Sequence, residues 1–334
     1  TVKHQRHCAC LFLDLGKDVK VQTLPIFRIH AMDVADTGRQ HGHTQIGDHF
    51  AFIGISHFAA ADYAVKSFAE EMEGRDLRLE QTVRGRNFLW DGKTAVAYIK
   101  NLSLTGYQVI KYTLDESKYD GGAKNINSIP LIRYAEVLLN YAEAQAELGV
   151  LTDSEWALTV GALRKRAGIT GGTETLPTTV DSYLQRTFYP DVTSPVLLEI
   201  RRERTIELIA EGHRYYDMVR WKEGKMFEQE FKGMYFTPGM NSDGYRIYDL
   251  DGSGDVSALD VCLYTTSSAP KAADHPELAV IKTFLKIGSA FELTGATGGN
   301  IIVHNTETEP REWREDRDLS LIHISEPTRL RCIS

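Results

Sequence analysis

The chain has 334 residues, 42% of them hydrophobic and 25% charged, so it can bury a sizeable core and has the composition of an ordinary globular protein. A net charge of −8 argues against nucleic acid as a partner, because that needs a basic patch. No apolar run reaches the roughly 18 residues of a membrane helix, and Cys8, Cys10, Cys262 and Cys332 form neither a zinc spacing nor a disulfide framework.

Residues 1–57 carry His4, His7, His30, His41, His43, His49 and His57 without helical or strand periodicity. Neither His41, His43 and His49 nor His7, Cys8 and Cys10 match a metal-ligand spacing. From Phe58 to Glu73 a helix is expected, with Tyr63, Val65, Phe68 and Met72 as its apolar members. Residues 74–83 read as a charged turn leading into an extended segment. Phe88-Leu89-Trp90 before Asp91-Gly92 reads as a strand entering a tight turn, and residues 93–115 as further short extended pieces with a bend at Thr105-Gly106-Tyr107.

Residues 130–148 give the clearest helix signal, with Ser128 near its N-cap and Gly149 after its last turn. Leu131, Tyr134, Leu138, Tyr141 and Leu148 form the expected apolar stripe. Ala135 and Ala142 beside it permit close approach of another helix. Asp153 or Ser154 then caps a second helix carrying Trp156, Leu158, Val160 and Leu163, which closes a helical hairpin before Gly168. Residues 170–194 read as loop with a short helix near Tyr183 to Phe188.

Residues 195–222 are the organising stretch. Ser194 can cap, Pro195 can take the first helical position, and Gly212 marks a break. Leu197, Ile200, Leu208, Tyr215 and Val219 recur at helical spacing. Glu199, Glu203, Glu207 and Glu211 fall four apart on one face, where like charges repel. Such a stripe is either a carboxylate site or a face held by arginines of its own and neighbouring helices, and buried carboxylates are normally paired. Residues 225–310 lose helical periodicity and read as loops with short strands. Within them, Asp249, Asp251, Ser253, Asp255, Ser257 and Asp260 fall at places 1, 3, 5, 7, 9 and 12 of a candidate calcium loop, with Gly254 at the turning place 6. Place 12 is Asp instead of Glu, and the flanks read as strands, so a polar hairpin loop is the alternative.

Several of these pieces together resemble the SusD/RagB proteins: Ile129 to Ala144, Arg164-Lys-Arg-Ala-Gly-Ile169, Arg202 to Leu208 with Glu211 to Trp221, Gly74 to Thr82, Thr105-Gly-Tyr107 and Arg311-Glu-Trp313. The resemblance runs over roughly residues 60–318, in matching order and spacing. It implies a mainly α fold, a SusD-like helical superhelix of tetratricopeptide-like hairpins with a loop-rich region of short strands. It also implies an outer-membrane surface lipoprotein that captures glycans or other nutrients and passes them to a TonB-dependent transporter of the SusC type, without catalysis and with no required cofactor beyond the candidate calcium. On this reading residues 58–318 are a partial family domain and residues 1–57 are poorly interpretable. Residues 319–334, beginning Leu319-Ser-Leu-Ile-His-Ile-Ser-Glu-Pro-Thr-Arg329, resemble sequencing-adapter read-through. Cys8 and Cys10 lack lipobox surroundings, so the lipid anchor and the signal peptide are expected upstream of residue 1.

Ligand candidates are aromatic residues in non-helical segments: Phe88, Trp90, Tyr98, Tyr235, Phe236 and Tyr245. Packing against the helical body is the alternative for each. Tyr215, Tyr216 and Trp221 are expected to be structural. Two other functions remain open: a tetratricopeptide-type scaffold that binds proteins, and a glycoside hydrolase using Glu207 or Glu211, which needs a facing carboxylate.

Overall fold

The computed structural model describes residues 66–94, 105–120, 124–228, 232–288 and 291–302. The N-terminal histidines, Tyr98, Arg311 to Trp313 and the tail from Leu319 lie outside the described residues. Helices dominate the first part of the chain and short strands the last. The helices are α1 (Phe68–Met72), α2 (Leu77–Thr82), α3 (Tyr134–Glu147), α4 (Asp153–Leu158), α5 (Val160–Arg166), α6 (Ser182–Phe188), α7 (Pro195–Glu207) and α8 (His213–Arg220).

Local chemistry sets most of these boundaries. Ser67 and Glu70 close a capping box on α1, and Thr152 and Glu155 do the same on α4. Ser194 accepts from the Leu197 amide, and Pro195 opens α7. Gly212 sits at φ 82° and separates α7 from α8 as a left-handed cap. Residues 77–82 are helical, not extended. Asp76 accepts from the Arg78 amide and starts a helix that the β-branched Thr82-Val83 end disguises.

α3 begins at Tyr134, later than its periodicity suggests, because Arg133 is extended at φ −110° and reaches across to Glu207 and Glu211. Its buried face also differs from expectation. Ala135, Leu139 and Ala142 pack with Trp156, Val160, Leu163, Ile200 and Leu208. Leu131, Tyr134, Tyr141 and Leu148 are exposed, as is Leu158. The alanines win that interface because short side chains let α3 and α7 approach closely.

α7 is the common wall of three apolar clusters. Ile200 joins α3–α5, Leu198 packs with Leu184, Phe188, Tyr189 and Trp221, and Ile206 enters the strand region beside Phe68, Leu79 and Phe236.

The strands form three small sheets. β1 (Leu89–Trp90) pairs with β2 (Lys93–Thr94) across the tight turn at Asp91-Gly92. β3 (Lys232–Phe236) pairs antiparallel with β7 (Gly299–Ile302). β4 (Tyr245–Tyr248), β5 (Val261–Tyr264) and β6 (Thr283–Lys286) form a sheet in that order, with β4 at its edge, antiparallel to β5, and β5 parallel to β6. The candidate calcium loop is the β4–β5 connection.

Candidate functional site

The carboxylate stripe along α7 and the turn after it, Glu199 to Glu211, is entirely occupied by cations. Each bridging cation spans two successive glutamates. Arg164 holds Glu199 (2.5 Å) and Glu203 (3.1 Å), and Arg78 holds Glu203 (2.6 Å) and Glu207 (2.8 Å). Arg133 holds Glu207 (2.8 Å) and Glu211 (2.7 Å). Arg166 adds a third partner to Glu207, Lys111 closes on Glu211 at 2.5 Å, and within the helix Arg202 pairs with Glu199 at 3.1 Å. Burial opposes ionisation of Glu207, but Arg166, Arg78 and Arg133 outweigh it and hold the carboxyl at about 2. Lys111 and Arg133 also donate to the Glu207 carbonyl and so cap the end of α7.

The opposite side of α7 carries Arg201 on Glu223 (3.0 Å) and Arg204 on Asp217 (2.7 Å). The Arg201 guanidinium lies over the rings of Tyr189 and Trp221. Trp221 is buried and donates to Glu143 at 2.6 Å, whereas Tyr215 and Tyr216 are exposed and pack edge to face on each other at 5.7 Å.

Open concave surface lies elsewhere. One cleft, of about 310 Å³, runs between α1, α2 and the segment leading to β1. Its floor is Ala69, Met72 and Phe88, and its rim is Glu73, Glu80, Arg86 and Asn87. Asn87 donates to Glu80 at 2.8 Å, which fixes two planar polar groups side by side. Phe88 is buried, with its ring 6.1 Å from that of Trp90 and the Arg84 guanidinium 5.1 Å from its centroid. Trp90 is half-buried in the β1–β2 hairpin and lies outside the lining of the cleft. The β4–β5 loop borders the cleft. Gly252 is at φ 69°, and a Cβ there would stand 2.8 Å from that of Ala69. Only glycine permits this approach.

In that loop, Asp249, Asp251 and Asp260 place carboxylate oxygens within 4.8 Å of one another. Asp249 accepts from the amides of Gly252 (2.6 Å) and Gly254 (2.8 Å), and Asp251 from Ser253 (2.9 Å). Asp260 accepts from Leu250 (3.1 Å) and Ser257 (2.7 Å). The Ser257 hydroxyl donates to Asp251, the Ser253 hydroxyl donates to the Asp255 carbonyl, and the Asp255 side chain stands outside the triad. A set of hard oxygens this close suits a hard cation. The amide contacts also let it close as a self-capped hairpin loop.

A second concavity, of about 410 Å³, lies along the edge strand β4 and is walled by Gly239, Met240, Asn241, Tyr245, Arg246, Ile247 and Glu277. The Tyr245 hydroxyl donates to Glu277 at 2.5 Å, which together with burial pushes the phenol up to about 12. The structure thus separates the aromatic candidates. Phe88 belongs to the first cleft and Tyr245 to the second, while Trp90 meets the first only through its contact with Phe88. Phe236 is closed into the core between Tyr248 and Phe291. Tyr235 is half-buried on β3, opposite Asn300. Glu80, Arg86, Asn87, Asn241 and Glu277 had no sequence signal, since nothing local distinguishes a rim residue from any exposed polar one.

A sequence model described as the SusD family matches residues 36–252. Among solved structures, the chain is similar to a SusD-like carbohydrate-binding protein from Bacteroides fragilis, with 26% identity over 52% of this chain and 34% of that one and a TM-score of 0.39. It is also similar to a SusD-like protein from the same organism, with 28% identity over 49% and 31% and a TM-score of 0.37. The chain spans about a third of the length of these structures. No curated protein matches it.

Proposed function

Because the chain belongs to the SusD family, we propose that it binds glycan without covalent chemistry, in the cleft floored by Ala69, Met72 and Phe88. The observation that carries this reading is the makeup of that cleft. An apolar floor of Ala69, Met72 and Phe88 meets a rim of Glu80, Arg86 and Asn87, and the Trp90 ring stands 6.1 Å from that of Phe88. Sugars present one apolar face and a fringe of hydroxyls, which apolar and planar polar side chains match by stacking and hydrogen bonding. Delivery to a SusC-type TonB-dependent transporter at the outer-membrane surface, through a lipid anchor, is the partner and place that family membership leads us to infer. We further infer a tetratricopeptide-like superhelix. The packing of α3 on α4, α5 and α7 supports this, as does the apolar face that α3 leaves exposed among the described residues.

The hydrolase reading needs a carboxyl that can donate a proton. Glu207 is held ionised by three guanidiniums, and Glu211 is closed by Lys111 and Arg133. Calorimetric titration with a panel of oligosaccharides, run beside a reducing-sugar assay, tests the proposal. Binding without release of reducing ends is expected. Turnover that disappears in Glu211→Gln would overturn it.

A further inference from the structure

We propose that the concavity along β4 is a second glycan subsite that takes a neutral sugar unit, with Glu277 accepting its hydroxyls. The inference rests on the glycan-binding reading and adds to it a site distinct from the Phe88 cleft. The concavity holds about 410 Å³ and is shallow and open to solvent. Met240 and Ile247 give it an apolar wall, and Asn241, Tyr245, Arg246 and Glu277 give it polar ones.

The polar walls are fixed before any ligand arrives. Asn241 Oδ1 accepts from the Asp243 amide (3.1 Å) and the Tyr245 amide (3.0 Å), and the Asn241 amide donates to the Tyr245 carbonyl (2.9 Å), so the turn entering β4 is closed on itself. Glu277 comes from the 3₁₀ turn Pro276–Val280, whose Leu278 is buried with Tyr245, Cys262 and Ile281. His275 stands beside it, with Nδ1 3.0 Å from the Tyr245 hydroxyl and its ring edge-on to Tyr245 at 4.7 Å. Tyr245 occupies part of the acceptor capacity of Glu277. The carboxylate side chain is still 46% exposed, and two oxygens can take further hydroxyl donors.

Charge then selects. Among the described residues, Glu277 and Arg246 are the charged residues lining the concavity, and Asp243 lies in the adjoining turn. Arg246 Nη1 donates to the carbonyls of Thr237 (2.9 Å) and Pro238 (3.0 Å). At the hydroxyl-accepting position an anionic sugar would bring its carboxylate against Glu277, a repulsion that Arg246, with Nη1 already engaged by two carbonyls, offsets only in part.

Each concavity contains one methionine, Met72 in the first and Met240 in the second. Protein labelled with ¹³C at the methionine methyls is therefore titrated with tetrasaccharides of glucose, xylose, mannose and galactose, and with tetragalacturonate, the two signals being assigned from Met72→Leu and Met240→Leu. The Met240 signal is expected to move with a neutral tetrasaccharide and not with tetragalacturonate. Glu277→Gln is expected to weaken that response about tenfold while the Met72 response is kept. A Met240 signal that stays still while Met72 moves overturns the second subsite and leaves the first. Stillness of both overturns both readings. An equal response to tetragalacturonate, or an unaltered titration in Glu277→Gln, overturns the selection of neutral sugar by that carboxylate.

Discussion

Along α7 and the turn that follows it, the carboxylates of Glu199, Glu203, Glu207 and Glu211 are closed by cations drawn from α2, α5 and the segments around Lys111 and Arg133. In the strand region, Asp249, Asp251 and Asp260 converge instead on backbone amides, and Glu277 faces a concavity. The two regions use acid side chains for different ends. In the helical region opposite charges tie together segments far apart in sequence. In the strand region apolar residues make the core together with the buried Asp260, and Asp249, Asp251 and Glu277 keep exposed surface.

The sharpest way to break this comparison is to remove a bridging cation. Arg78 contacts Asp76, Glu203 and Glu207, all of them buried. Arg78→Met leaves these acids short of a partner, and removing one member of a buried ion pair costs about 3–5 kcal/mol. Urea unfolding followed by circular dichroism measures the loss. A change below about 1 kcal/mol, the scale of exposed pairs, would mean that the ladder does not organise the helical region.

The two regions should also answer pH in opposite directions. Glu207 has a folded pKa of about 2, below its ordinary 4.5, so its contribution to stability is full above 4.5 and is lost as pH falls toward 2. Glu71, on α1 against the strand core, behaves the other way. Burial pushes it up to about 7, against the lowering pull of the Tyr107 hydroxyl (2.6 Å) and Arg75. Its folded pKa lies above 4.5, so its contribution is full below 4.5 and is lost as pH rises through about 7. The difference amounts to about 3 kcal/mol at pH 8. Glu71→Gln should match the parent protein near pH 4.5 and exceed it at pH 8 by up to that amount. Thermal melts across this range check it, and parallel curves for the two proteins would refute it.

Much of the helical region was legible because its signals are local. Ser194, Pro195 and Gly212 mark α7 and its end through backbone chemistry that any helix shares. α2 was not legible. It is six residues long, and Arg78 within it is held by Glu203 and Glu207, more than a hundred residues away. The buried face of α3 was misjudged for a related reason. Hydrophobicity ranks Tyr134 and Leu131 above Ala135, but close helix contact selects the smaller side chain. In the candidate site, residue type alone cannot separate Phe236, closed between two rings, from the half-buried Trp90 beside Phe88.

Trp90 therefore gives a direct reading of the division between scaffold and site. Trp90→Ala should weaken binding of a glycan that moves the Met72 signal by about tenfold, in keeping with an aromatic contact of about 1 kcal/mol or slightly more. Stability should change by less than about 1 kcal/mol, because the ring is only half-buried and stands in a two-residue strand. Calorimetry and a melt on the same preparation separate the two effects. A large stability loss with unaltered affinity would return Trp90 to the scaffold.

The smallest expected effect concerns the acidic loop, where the comparison is most exposed to revision. Burial and then the charges of Asp251 and Asp249 push Asp260 up, against the amides of Ser257 and Leu250 that lower it. A calcium ion among the three carboxylates would relieve that repulsion and give the strand region a cation-closed centre of its own. Loops of this kind outside cells bind with dissociation constants of about 0.1–1 mM. At the weak end of that range, 5 mM calcium should stabilise the protein by about 1 kcal/mol. Asp251→Asn should abolish the gain, and magnesium should give less, because it sheds its water reluctantly. Coincident melts in calcium and in chelator would instead leave the loop held by its own amides, with its charge simply tolerated at the edge of the Phe88 cleft.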